Sequence, residues 1–89
     1  MVYRSAHFVS RQEQRGLRRE VLSFIMEFGT VKFYGKGTWL VVERRTLPAL
    51  LKNSSLARRA AQWLVLVNDG VLVTCYRCNS PLRKLRRLH

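Results

Sequence analysis

The stretch LRREVLSFIMEFGTVKFY, residues 17–34, decides the fold. Leu17, Val21, Phe24, Ile25 and Phe28 stand four, three, one and three residues apart, the apolar stripe of a helix with one face on a core. Gly29 follows directly, where a helix is expected to stop. From Thr30 the period falls to two, and Thr30–Tyr34 reads as a strand. The change of period at Gly29 predicts a helix that hands the chain to a sheet and packs back on it.

Towards the C-terminus, Gly35-Lys36-Gly37 reads as a tight turn and Thr38–Glu43 as the hairpin partner. Residues 44–62 break the pattern with Arg44-Arg45, Pro48 and Asn53-Ser54-Ser55, and read as an insertion. Ser54 or Ser55 can cap a short helix over Leu56–Ala61. Gln62–Val67 and Val71–Tyr76 are strand-like, and Asn68-Asp69-Gly70 between them signals a second hairpin. Residues 80–89 read as a basic, loosely held tail. Towards the N-terminus, residues 5–15 read as a short polar helix, which Gly16 either closes or bends. A second helix then runs from Arg18 to Phe28. The expected architecture is one α+β domain over residues 1–89, with two N-terminal helices packed on a twisted antiparallel sheet of about four strands. In it, Val21, Phe24, Ile25 and Phe28 meet Val65 and Val73.

Charge narrows the partners. Seventeen basic residues face five acidic ones, a net charge of +12, and thirteen of the seventeen are arginine. Guanidinium forks match phosphate oxygens two at a time, which a lysine point charge does not. Nucleic acid is the expected partner, an acidic protein the next. No apolar run approaches the roughly 20 residues of a spanning helix, and no secretory leader is legible, so the expectation is a cytoplasmic protein with no membrane partner. Cys75 and Cys78 form a lone C-x-x-C. A zinc site needs further ligands, and only His7 and His89 are on offer as histidines, so neither a metal nor another cofactor is expected.

Two segments resemble a known group. SAHFVSRQEQRGLRREVLSFIMEFG places a His near the start of the first helix, an Arg four residues on, then Arg-Gly-hydrophobic, an amphipathic helix and a Gly, at His7, Arg11, Arg15-Gly16-Leu17 and Gly29. VNDGVLVTCYR ends in a Val-Thr-x-Tyr-Arg string at Val73, Thr74, Tyr76 and Arg77. Both resemble small bacterial members of the RelE-like toxin superfamily; residues 44–62 and the tail lie outside the likeness. The resemblance implies a barnase/colicin/RelE-type fold, metal-independent cleavage of mRNA or tRNA, and a toxin paired with an acidic antitoxin protein.

Metal-independent RNA cleavage needs a base for the 2′-hydroxyl, an acid for the leaving oxygen and cations for the phosphorane. His7, Arg15, Thr74 and Tyr76 are the catalytic candidates. His7 suits either proton role, Arg15 can hold the phosphate, Thr74 can donate a hydrogen bond, and Tyr76 can stack on a base or donate a proton. Arg11, Arg18, Arg77 and Lys36 are the RNA-binding candidates. His7, Arg11, Arg15 and Arg18 share one helical face if the helix runs through Gly16. Strand alternation puts Thr74 and Tyr76 on an open face, and Val73 and Cys75 against the helices. Plainer roles compete: His7 as a cap or a packing residue, the arginines as a solvated face. Two other functions also fit the composition, a noncatalytic RNA- or DNA-binding module and a basic protein that docks an acidic partner.

Overall fold

A computed structural model describes residues 3–35 and 37–86. Strand β1 (Tyr3–Arg4) leads into helices α1 (Ala6–Arg15) and α2 (Arg19–Phe28). The hairpin β2 (Thr30–Tyr34) and β3 (Gly37–Val41) follows, then a 3-10 turn over Arg44–Thr46 and helix α3 (Ser55–Ala60). A second hairpin, β4 (Trp63–Asn68) and β5 (Val71–Arg77), and helix α4 (Pro81–Arg86) complete the described chain. The fold is α+β, on a sheet of order β1-β5-β4-β3-β2.

Local chemistry explains most of the boundaries. Ser5 caps α1, its Oγ accepting from the Phe8 N–H at 3.0 Å. Gly16 closes the helix in the left-handed region, φ 72°, donating to the carbonyls of Gln12 and Glu13. Ser54 caps α3 in the same way as Ser5 caps α1, accepting from Ala57 N at 3.0 Å. Asp69 and Gly70 both take positive φ, 49° and 76°, as a two-residue hairpin turn demands.

The core lies mainly on one side of the sheet. Phe8 of α1, with Val21, Leu22, Phe24 and Ile25 of α2, packs on Val65, Leu72 and Cys75. Phe24 and Phe28 meet with ring centroids 4.8 Å apart. The 44–62 segment belongs to this layer, since Leu47, Ala57 and Ala60 are buried there.

Four expectations are corrected. The sheet has five strands and is mixed, because β1 runs parallel to β5 through Tyr3↔Val71 and Arg4↔Leu72. Two residues are too few to show a period. Of the two readings of Gly16, the closing one holds: α1 ends there, and Arg18 is the N-cap of α2 rather than part of the row of His7, Arg11 and Arg15. Val73 does not join the helix-side core. An irregularity in the β4–β5 register pairs Val67 with Leu72 but Leu66 with Thr74, and Val73 lines a cleft with Trp39 and Leu66 on the other face. That face is not open either. Residues 81–86 of the tail form α4, which begins on Pro81 and buries Leu85 completely against Trp39, Val41 and Leu64. Pro81 suits a first helical position, and Leu82 and Leu85 lie one turn apart on the buried side.

One acid is placed with care. Glu43 follows β3, and its carboxylate is only 4% exposed, 2.8 Å from Lys32 Nζ and 3.3 Å from Arg45 Nη2. The hydrogen bond from Lys32 holds its carboxyl below the usual range, with help from the charges of Lys32 and Arg45 and against the opposing effect of burial. A depressed carboxyl favours folding above its unfolded value near 4.5, and the contribution is lost as pH falls through the lower folded value. Glu43→Gln is therefore expected to cost about 1–3 kcal/mol at neutral pH. The gap to the parent protein should close as urea unfolding is repeated at pH values falling below 4.5.

Candidate nucleic-acid interface

Helix α1 carries the first group of candidates. His7, Arg11 and Arg15 follow one another at four-residue spacing, about 6 Å of rise each. The His7 side chain is exposed and has no hydrogen bond or ion pair among the described residues. The plainer roles are taken by its neighbours, capping by Ser5 and packing by Phe8. Arg11 donates to Gln14 Oε1 at 3.2 Å.

Arg15 reaches the sheet edge. Short β1 covers β5 only at Val71–Leu72, which leaves later carbonyls of β5 to α1 and its cap. Ser5 Oγ donates to the Val73 carbonyl at 3.1 Å, and Arg15 Nη1 donates to the Cys75 carbonyl at 2.7 Å. The Arg15 guanidinium carbon also stands 4.9 Å from the centroid of the Tyr76 ring, and Lys84 Nζ of α4 stands 5.1 Å from it. Tyr76 is in turn 6.1 Å from Trp39, centroid to centroid. The ring is a cation-binding surface already in use by two cations.

The structure thus brings Arg15 and Tyr76 together but not the whole catalytic set. Thr74 and Tyr76 share a sheet face, as alternation predicts, since they pair with Leu66 and Leu64. Thr74 is buried, at 5% exposure. His7 sits two helical turns from Arg15, roughly 12 Å along the axis, so it is not at the Tyr76 ring's end of α1.

A second basic group was only half legible in the sequence. Arg18 at the start of α2, Arg59 on α3 and Arg77 at the end of β5 line one cleft with Gly16, Val21, Gln62 and Trp63. No carboxylate lines it, and none of the three guanidiniums has a hydrogen-bond or ion-pair partner among the described residues. The start of α2 has no side-chain cap, and Glu20 stands in its first turn. Arg18 and Arg77 were sequence candidates; Arg59 and Gln62 were not. Their only signal was the pair Arg58-Arg59 in a helix predicted from its serine cap. Lys36, the remaining RNA-binding candidate, lies outside the described residues, as does His89.

The groove below α4 differs. Arg44, Arg45, Arg83 and Arg86 line it with Glu43. Arg44 is held by the Lys52 carbonyl at 3.0 Å and by Asn53 Oδ1 at 3.1 Å, and Arg45 by Glu43. Two of its four guanidiniums are therefore occupied within the protein.

Cys75 and Cys78 lie in different parts of the core. Both are free thiols; Cys75 is buried in the helix-side core, and Cys78 packs with the α4 layer. Burial pushes both thiols up, against the lowering influence of Arg15 and Arg11 on Cys75 and of Lys84 and the Ser80 backbone on Cys78. Among the described residues no three His, Cys, Asp or Glu side chains cluster as metal ligands, and no helix is long and apolar enough to cross a membrane.

No family model matches the chain, and neither the curated proteins nor the solved structures contain a match to it.

Proposed function

We propose that this protein binds RNA through its phosphates, with Arg18, Arg59 and Arg77 as the anchoring contacts. The observation that carries this is their convergence: three arginines from three separate elements, none with a side-chain partner among the described residues, line one cleft that no carboxylate lines. Like charges held together without a counter-charge are costly, and a bound anion relieves the repulsion. The net charge of +12 extends the attraction beyond the cleft. The likeness of the two terminal motifs to RelE-like toxins directs the choice of polyanion to RNA.

Anisotropy of a labelled oligoribonucleotide, titrated with the protein between about 50 and 200 mM salt, tests this. Each phosphate contact to a single strand contributes about −0.7 to the slope of log affinity against log salt, so three arginines predict a slope of about −2 or steeper. Failure to bind at the low-salt end would overturn the proposal and favour an acidic protein partner.

A second function, metal-independent cleavage of the bound RNA as in a toxin-type endoribonuclease, has one observation in its favour. His7 is exposed, free of partners, and one helical turn from Arg11. An imidazole so placed is free to take or give a proton next to a cation that can hold a phosphate.

A further inference from the structure

The arginine cleft is small and half open to solvent, and its chemistry differs from that of a track for a continuous backbone. Its volume is about 180 Å³. That is room for roughly six water molecules, the scale of one phosphate group. The three arginines come from different elements: Arg18 from the junction between α1 and α2, Arg59 from α3, Arg77 from the end of β5. The buried Trp63 and Val21 are its apolar lining.

Charge discriminates further. A phosphodiester within a strand carries one negative charge, whereas a phosphomonoester at a strand end carries about −1.5 to −2 at neutral pH and offers three strong acceptor oxygens. Three guanidiniums with no internal counter-ion match the second better than the first. A strand that runs past would set one singly charged diester among three cations. A strand that ends there supplies both the charge and the free oxygens for several forked contacts.

We infer that the cleft formed by Arg18, Arg59 and Arg77 is a receptor for the terminal phosphomonoester of a nucleic-acid strand. This rests on the RNA-binding proposal and deepens it: the outer basic surface attracts the strand, and the cleft selects its phosphorylated end. Arg83 and Arg86 in the α4 groove, where no described partner holds them, are free to meet the rest of the backbone.

The pH response separates the two kinds of phosphate. The charged groups that line the cleft are all arginines, which stay protonated, and neither a histidine nor a carboxylate lines it. A change in end preference between pH 7.5 and 5 therefore belongs to the ligand. The second ionisation of a phosphomonoester lies near 6, and a diester has none.

The test uses the full chain and one oligoribonucleotide in three forms, with a 5′-phosphate, with a 3′-phosphate, and with hydroxyls at both ends. Affinities are measured at fixed salt at both pH values, for the parent protein and for Arg59→Gln. One phosphorylated form is expected to bind about 5-fold more tightly than the hydroxyl form at pH 7.5, the worth of one solvent-exposed charge-assisted contact. Which end is preferred identifies the source of the phosphate. The preference should shrink at pH 5, be competed away by inorganic phosphate, and vanish in Arg59→Gln, whose general RNA binding persists at a lower level. Equal affinities for all three forms, with salt-dependent binding intact, would overturn the end-receptor inference and leave RNA binding standing. Absence of binding to every form would overturn both. Circular dichroism of Arg59→Gln separates a lost contact from a lost fold; because Arg59 is exposed and its side chain unpartnered, the parent spectrum is expected.

Discussion

Replacing Arg18, Arg59 and Arg77 together by alanine is expected to lower RNA affinity by about 10²-fold or more. A charge-assisted hydrogen bond is worth roughly 1.5–3 kcal/mol when desolvated. All three side chains are exposed, so about 1 kcal/mol each is the appropriate figure, and tenfold in affinity corresponds to about 1.4 kcal/mol. The same variant should lose about 2 units of salt slope, at roughly 0.7 per contact. Stability should change little, because no described residue depends on these guanidiniums for a hydrogen bond. Unfolding curves that match the parent, set beside an unchanged slope and unchanged affinity, would remove the cleft from the interface. Substituting the occupied Arg44 and Arg45 instead provides the contrast, since their guanidiniums already bind Lys52, Asn53 and Glu43.

His7→Ala is expected to lower any RNA cleavage by about 10²–10⁴-fold, the usual worth of a general acid or base. Affinity and fold should survive, since His7 is exposed and neither caps α1 nor packs on the sheet. Product analysis adds a second readout: attack by the 2′-hydroxyl leaves a 2′,3′-cyclic phosphate end. Undiminished cleavage by His7→Ala would remove the imidazole from the chemistry while keeping the enzyme. Intact RNA after prolonged incubation with the parent protein, with and without ribosomes, would leave a binding protein alone. Arg15→Ala is a different kind of variant. Its guanidinium covers the Cys75 carbonyl and lies over Tyr76, so stability falls along with any effect on RNA.

The legible parts of the fold are those whose cause lies within a few residues. Leu17 to Phe28 declared a helix face, Ser54 a cap, and Asp69-Gly70 a turn with two positive φ angles; each is satisfied by its immediate neighbours. The candidates that held together, Arg15 with Tyr76 and Thr74 beside Tyr76 on one face, lie on or next to such elements. Period-two counting failed at Val73, where one extra residue between paired positions turns a side chain to the other face of the sheet.

What the sequence determined alone is therefore the kind of protein: one α+β chain with helices first and hairpins after, strongly basic, and rich in the side chain that best matches phosphate. Tertiary structure alone decided where that charge is concentrated. Tyr3–Arg4 is a strand only because the distant Val71–Leu72 offers it an edge. The basic tail is a helix over 81–86 only because Leu85 finds Trp39, Val41 and Leu64. The α1 row ends at Gly16, and Arg18 turns instead towards Arg59 and Arg77. Helix and turn signals act over a few residues, so they can be read in order along a chain. The meeting of three arginines depends on how α2, α3 and β5 pack, and packing joins residues that no local pattern links.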